Sequence, residues 1–113
     1  MRYWIFLALL APGVALAEGA PNPQIDRLWK AKCAACHGAD GKAQTEQGKK
    51  MAIRDMSAAD WQTAITDDKI KAGISDGVKS EKNGVKQEMD AYKSKLRPDQ
   101  LDGLVAYVRA LKK

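Results

Sequence analysis

The clearest hydrophobic pattern in this chain lies at its C-terminal end. After Pro98, apolar residues follow the i, i+3, i+4, i+7 spacing that places them on one helical face: Leu101, Leu104, Val105, Val108 and Leu111. Proline suits the first position of a helix, because its fixed φ is helical and its missing N–H would have no partner there. The pattern therefore predicts a final amphipathic helix that begins at Pro98.

A second helical pattern begins at positions 22–23, where an asparagine that can act as N-cap precedes a proline. Ile25, Leu28 and Trp29 then lie on one face, and the pattern continues into the segment that holds both cysteines. The next residues, 38–48, are rich in glycine and polar side chains, so we expect a loop there.

The middle of the chain predicts a helix that starts at Ser57. Asp60 follows three residues later and suits the acidic member of a capping box. Met56 and Trp61 then occupy the two positions of a hydrophobic staple, which fixes the angle at which the chain enters a helix.

A third, short helix is predicted after Thr66, which suits the N-cap position. Ile70 and Ile74 share one face, and Gly77 stands just beyond the helix end. The segment 78–95 that follows is polar and has no clean period, so we expect a long irregular loop. We find no convincing strand in the chain, which predicts an all-α protein.

The first 17 residues have a different character from the rest. A positive start at Arg2 precedes an apolar run over residues 3–16, and residues 15–17 form a small-x-small site. This pattern is typical of a secretory signal peptide cut after Ala17. An uncleaved membrane anchor is the alternative, but the apolar run is short for a span of about 20 residues and a Pro-Gly pair interrupts it. We therefore predict a signal peptide over 1–17.

The remaining residues, 18–113, are predicted to form one domain. The signal segment carries one of the 19 basic residues and none of the 14 acidic ones, so the other 96 residues have a formal charge of +4. That charge is too low for a nucleic-acid binder. We expect no stable membrane insertion after cleavage. In so small a domain, a large apolar cofactor would form much of the core.

Both cysteines and the only histidine of the chain lie in one run, Cys33-Ala34-Ala35-Cys36-His37. C-x-x-C-H is the attachment signature of c-type haem. Each thiol can form a thioether with one vinyl group on the same edge of the macrocycle, and one helical turn reaches both. The histidine is then held beneath the iron, where a neutral imidazole is a good axial ligand.

Other interpretations of these residues are weaker. A structural zinc site needs four nitrogen or sulfur ligands, and this chain offers three. A redox-active C-x-x-C would accompany a βαβ pattern, which the sequence lacks. A disulfide across two residues would close a very small loop and stabilise little. Covalent haem c, one per chain, is the interpretation that uses all three residues.

The second axial ligand must come from another residue type, because no second histidine exists. Three methionines follow the signal segment: Met51, Met56 and Met89. Met56 is assigned to the staple, and Met51 lies among basic residues. Met89 lies in the loop predicted before the last helix, where a ligand from the opposite side of the haem is expected. We therefore predict His37 and Met89 as the axial ligands.

The whole mature region resembles a class I cytochrome c of the small bacterial periplasmic monohaem type. Residues 28–32 before Cys33 are similar to the family's aromatic first helix, and residues 106–109 to its last helix. Met89, with Tyr92 three residues later and Leu96 seven later, resembles the family's ligand loop. The resemblance implies an all-α fold of three to four helices around one covalently bound haem.

The resemblance also implies particular contacts. The first and last helices should cross near a right angle, with Trp29 meeting Leu104 or Tyr107. Trp61 should contact the haem pocket, although an ordinary core position is an equal alternative. The family usually has a proline after the motif whose carbonyl orients the histidine. This chain has none between the motif and Pro98, so another carbonyl in residues 38–50 is expected to take that role.

The resemblance implies a monomeric, periplasmic carrier of single electrons that is not itself an enzyme. Its expected partners are redox proteins with acidic docking surfaces, met by a ring of lysines: Lys42, Lys79, Lys82, Lys86, Lys93 and Lys95. One alternative is the haem subunit of a periplasmic oxidoreductase, such as a sulfur-compound oxidising complex. Another is a gas-binding haem sensor.

Overall fold

The computed structural model describes residues 22–112, so the predicted signal peptide over 1–17 lies outside the described residues. In the described part, six helices accompany one two-stranded antiparallel sheet. In chain order the elements are α1 (Pro23–Lys32), α2 (Ala34–His37), α3 (Glu46–Lys50), α4 (Ala59–Ala64), α5 (Asp67–Asp76), β1 (Val78–Lys82), β2 (Val85–Met89) and α6 (Pro98–Ala110).

The predicted first helix is confirmed and continues into the cysteine motif. The Asn22 side chain caps α1 by accepting a 2.9 Å hydrogen bond from the N–H of Gln24. Cys33 lies between α1 and α2: its N–H donates to the Trp29 carbonyl, and its own carbonyl accepts from the N–H of His37. The cysteines and the histidine therefore occupy one helical turn attached to the end of α1.

The first and last helices pack closely against each other, as predicted. Gly103 allows this approach, since a Cβ there would lie 2.7 Å from Cδ1 of Ile25. The rings of Trp29 and Tyr107 are 5.1 Å apart between centroids, which confirms the expected contact. Leu104 is 1% exposed beside them, so the core of the molecule lies where α1 meets α6.

The connection between α4 and α5 is fastened to α6 by polar groups. Thr66 caps α5 as predicted, and Ile70 and Ile74 are buried. The buried amide of Gln62 donates to the carbonyls of Met56 (2.7 Å) and Val108 (2.9 Å). The Arg109 guanidinium donates to four oxygens at or beside this connection: the Gln62 backbone carbonyl and side-chain Oε1, the Ile65 carbonyl and the Asp67 carboxylate. These bonds attach α4 and the start of α5 to α6.

Two predictions of local structure, one for residues 38–48 and one for the start of α4, are wrong. The loop expected over 38–48 ends in helix α3, which Thr45 caps by accepting from the N–H of Gly48 at 2.9 Å. Helix α4 begins at Ala59, not at Ser57, and its N-cap residue makes no side-chain bond. The Ser57 hydroxyl and backbone N–H instead both donate to the Asp55 carboxylate, at 2.6 and 2.8 Å, a local side-chain bond of the kind that competes with helix capping.

The segment 78–95 is not wholly irregular, which corrects the prediction of a long loop without strands. Strands β1 and β2 pair from Val78 opposite Met89 to Lys82 opposite Val85. The turn between them is Asn83-Gly84, with φ of 53° and 78°, the left-handed conformation that a two-residue hairpin needs. Within residues 22–112, no helix has the length and apolar character to span a bilayer.

Candidate functional site

A cavity of about 340 Å³ lies between α1, α5, α6 and the hairpin. Most of its lining is apolar, and it brings together four of the five site residues expected from the sequence: Cys33, His37, Trp61 and Met89. Cys36 is half-buried on the same helical turn but is not part of the lining. The other two candidate methionines, Met51 and Met56, also line the cavity, so position alone does not separate the three.

The two cysteines are free thiols at either end of one turn. Burial raises the pKa of the Cys33 thiol to about 11, so it is protonated at neutral pH. Burial also lowers the pKa of His37, which keeps its imidazole neutral, the form in which histidine binds metals. The turn thus presents two sulfur atoms and one uncharged imidazole side by side.

The second nitrogen of His37 is an exception to the expected pattern. Its Nδ1 is buried and, among residues 22–112, has no hydrogen-bond partner. The prediction that a carbonyl in residues 38–50 accepts this N–H is therefore wrong. Two carbonyls near the ring accept from other groups: that of Cys36 from the Thr45 hydroxyl at 2.6 Å, and that of Gly38 from the Trp29 indole at 3.0 Å.

Trp29 supports the imidazole in a way that the sequence did not reveal. Its ring centroid lies 5.8 Å from that of His37, and its indole N–H donates a hydrogen bond to the carbonyl of Gly38, the residue after His37. The helical pattern placed Trp29 in the core, but nothing local pointed to its bond with Gly38. Gly48 completes the support, because a Cβ there would lie 2.7 Å from the Cys36 carbonyl oxygen and only hydrogen fits.

Met89 is positioned by the backbone at the base of the hairpin. Gly77 has a φ of +75°, and a Cβ there would lie 2.5 Å from the Met89 carbonyl oxygen. Beyond the strand, the N–H groups of Tyr92 and Lys93 donate to the carbonyls of Ile74 (3.0 Å) and Ser75 (3.1 Å). The chain on both sides of Met89 is therefore attached to the end of α5.

The charged residues of the cavity differ from the predicted ring. Of the six predicted lysines, Lys82 lines the cavity, and it is joined there by Arg54, Lys69 and the carboxylate of Glu88. The strand register places Lys79 opposite Glu88 and Lys86 opposite Glu81, so both of those lysines face an acid. The positive charge at the cavity comes from three basic residues on three separate segments, a clustering that no local pattern in the sequence signals.

The groups around the cavity fit a covalently attached haem. Its lining is apolar, as a macrocycle requires, and its donors are an uncharged imidazole and thioether sulfurs. The two free thiols have the spacing that two thioether bonds need.

Comparison with known proteins decides the family. The family model for cytochrome c matches residues 24–112, nearly the whole of the described chain. The chain belongs to the cytochrome c family. Its resemblance to class I members is thereby confirmed, and with it covalent haem c as the cofactor and electron transfer as the general function.

Solved structures agree with this assignment. The c-type cytochrome KustC0563 is 32% identical, with a TM-score of 0.65, over 78% of this chain and 96% of that one. A tyrosine-to-phenylalanine variant of that cytochrome is 31% identical, with a TM-score of 0.63, over 78% of this chain and 98% of the other. No curated protein matches this cytochrome.

Proposed function

We propose that this cytochrome is an exported monohaem electron carrier whose iron is bound by His37 and Met89. The observation that carries the proposal is that α2 and β2, distant in sequence, contribute an imidazole and a thioether to one apolar cavity. When bound, haem c supplies reversible one-electron chemistry at its iron.

The residues of the chain determine what that chemistry can do. His37 is kept neutral by burial and is attached to a rigid helical turn. Met89 is a soft, uncharged donor held by the hairpin, and a thioether raises the potential relative to a second imidazole. If His37 and Met89 both bind the iron, no site on it would remain for a substrate, which favours a carrier over an enzyme. Trp61, half-buried in the lining, is assigned a packing contact with the macrocycle.

Export is the second part of the proposal. It rests on the signal-like residues 1–17 and on cleavage after Ala17. In protein isolated from a bacterial periplasm, the intact mass should equal that of residues 18–113 plus one haem, and acid-acetone should not extract the haem. A mass that includes residues 1–17 would contradict cleavage. A catalytic chain that co-purifies in fixed ratio would favour the oxidoreductase-subunit alternative instead.

The cationic rim, defined as Arg54, Lys69 and Lys82, is proposed to dock acidic redox partners. Since exposed charges are screened over about 8 Å at physiological ionic strength, exchange with an acidic partner should slow as salt rises. Lys82→Glu at low salt should slow the exchange by roughly tenfold, within the range that electrostatic steering provides. Stopped-flow rates against ionic strength measure this.

The matched control for the rim is Lys112→Glu, which makes the same charge change at the end of the chain beyond α6. It should alter the rate much less than Lys82→Glu. Equal effects of the two substitutions, or rates that do not change with salt, would mean that docking depends on apolar contacts and that the rim is an ordinary solvated surface.

A further inference from the structure

The side chain of Gln87 bridges two segments on the lining of the cavity. Its Nε2 donates to the carbonyl oxygens of Met51 (3.1 Å) and Ala52 (3.3 Å), 36 and 35 residues away in sequence. Its Oε1 accepts from the Ser80 hydroxyl on the neighbouring strand at 3.2 Å. All the hydrogen-bonding groups of this amide are thus engaged, and two of the bonds leave the hairpin.

The segment that receives these bonds has an unusual backbone. Ala52 has a φ of +50°, a conformation that side chains with a Cβ rarely adopt. The turn is held from the other side as well, because the N–H of Ala52 donates to Lys49 (3.2 Å) and that of Ile53 to Gly48 (2.9 Å). A strained residue persists only where its surroundings determine it, and here the strained turn presents two adjacent carbonyls to one amide.

Gln87 and Met89 are two residues apart in β2, so their side chains point to the same side of the strand. Both line the cavity, as does Met51. The base of the hairpin is fixed to α5 through Gly77 and Tyr92. The bonds of Gln87 attach the same strand at a second point, so the position of Met89 is determined from both directions.

We propose that Gln87 is a positioning residue that keeps Met89 directed into the cavity by tying β2 to the 51–52 turn. This inference rests on the proposed function, in which Met89 binds the iron. Without these bonds the hairpin would be attached only at its base, and the Met89 side chain would leave the cavity more often. Any small ligand that competes with Met89 would then bind more tightly.

The test uses the haem-loaded protein and azide as the competing ligand. Gln87→Leu removes both donors at similar size, and azide affinity should rise by roughly 5- to 150-fold, the range that two ordinary hydrogen bonds produce in an equilibrium constant. The methionine–iron charge-transfer band of the oxidised protein should weaken. Gln87→Glu, which places a carboxylate against two carbonyl oxygens, should have at least as large an effect.

Ser80→Ala is the matched control, since it removes the bond within the hairpin and leaves both bonds to the turn. It should leave azide affinity within about twofold of the parent, because one exposed hydrogen bond contributes little. Helix content by circular dichroism should be the same in all variants, which separates positioning from loss of fold.

The outcomes distinguish a failure of this inference from a failure of the proposed function, in which Met89 binds the iron. If Met89→Ala abolishes the charge-transfer band while Gln87→Leu changes neither the band nor azide affinity, Met89 remains the ligand and the role of Gln87 is overturned. If Met89→Ala keeps the band, the ligand assignment and the role of Gln87 both fail. If Ser80→Ala acts like Gln87→Leu, the hairpin as a whole, and not the tie to the turn, holds Met89.

Discussion

Replacing both Cys33 and Cys36 with alanine should leave this cytochrome largely unfolded. Without thioether bonds the haem is not retained, and the cavity of about 340 Å³ then has no occupant in the centre of a small domain. The apolar side chains that line it would then lose their packing against the macrocycle, and each such side chain contributes about 1.5–3 kcal/mol when it is fully buried. Small domains have only about 5–15 kcal/mol of stability, so losing the burial of a few such side chains is comparable to the total free energy of unfolding.

Far-ultraviolet circular dichroism and thermal unfolding measure this result. The double variant should show little helical signal and no cooperative transition. Ala35→Ser is the control, because Ala35 is an exposed position within the same motif and its replacement leaves both thiols in place. A double variant with full helix content and a sharp transition would show that α1, α5 and α6 pack without the haem.

Replacing Met89 with alanine should open the iron to external ligands. The charge-transfer band that methionine ligation gives in the oxidised protein should disappear. Azide should bind the ferric protein, and CO the ferrous protein, roughly ten- to thousandfold more tightly. That range follows because a state with Met89 displaced, populated at about 0.1–10% in the parent, becomes the only state.

The two other methionines of the cavity provide the comparison. Met56 is 9% exposed, so Met56→Ala should lower the free energy of unfolding by about 2–5 kcal/mol and keep the band. Met51→Ala should keep the band as well, since the backbone carbonyl of residue 51, not its side chain, is what Gln87 uses. Loss of the band in either variant, with the band retained in Met89→Ala, would reassign the ligand.

Local signals account for the parts of this molecule that the sequence predicts well. The C-x-x-C-H motif lies within five consecutive residues, so its chemistry does not depend on the fold. Helices α1, α5 and α6 were predicted because each combines a cap or an initial proline with apolar residues at helical spacing. Each of these features is complete within about a dozen neighbouring residues.

The sequence does not predict the hairpin, because the strands lack a local pattern and bond to segments distant in sequence. All five residues of β1 are exposed, and the two strands are rich in lysine and glutamate, so no apolar alternation marks them. The dipeptide Asn83-Gly84 was the available signal, since it is the typical pair for a two-residue hairpin turn. The bonds of Gln87 to the 51–52 turn join distant segments and have no counterpart in the local sequence.

The surroundings of His37 were mispredicted for a related reason. The carbonyl partner was expected within residues 38–50, but the Gly38 carbonyl there accepts from Trp29, and the Cys36 carbonyl just before that segment accepts from Thr45. Similarly, Ser57 has the sequence context of an N-cap, and only the position of Asp55 decides that its hydroxyl points elsewhere. Competition between nearby acceptors is settled by geometry that a periodic pattern does not contain.

The packing of α1 against α6 has a consequence for how the chain folds. The hydrogen bond from the Tyr107 hydroxyl to the Asp26 carboxylate joins residues 81 positions apart, and the buried contact of Ile25 with Gly103 spans nearly as far. The core therefore cannot close until almost the entire chain has been synthesised. Contacts between residues so far apart form more slowly than the local contacts of helical bundles, since the entropy of a long loop is lost before they form.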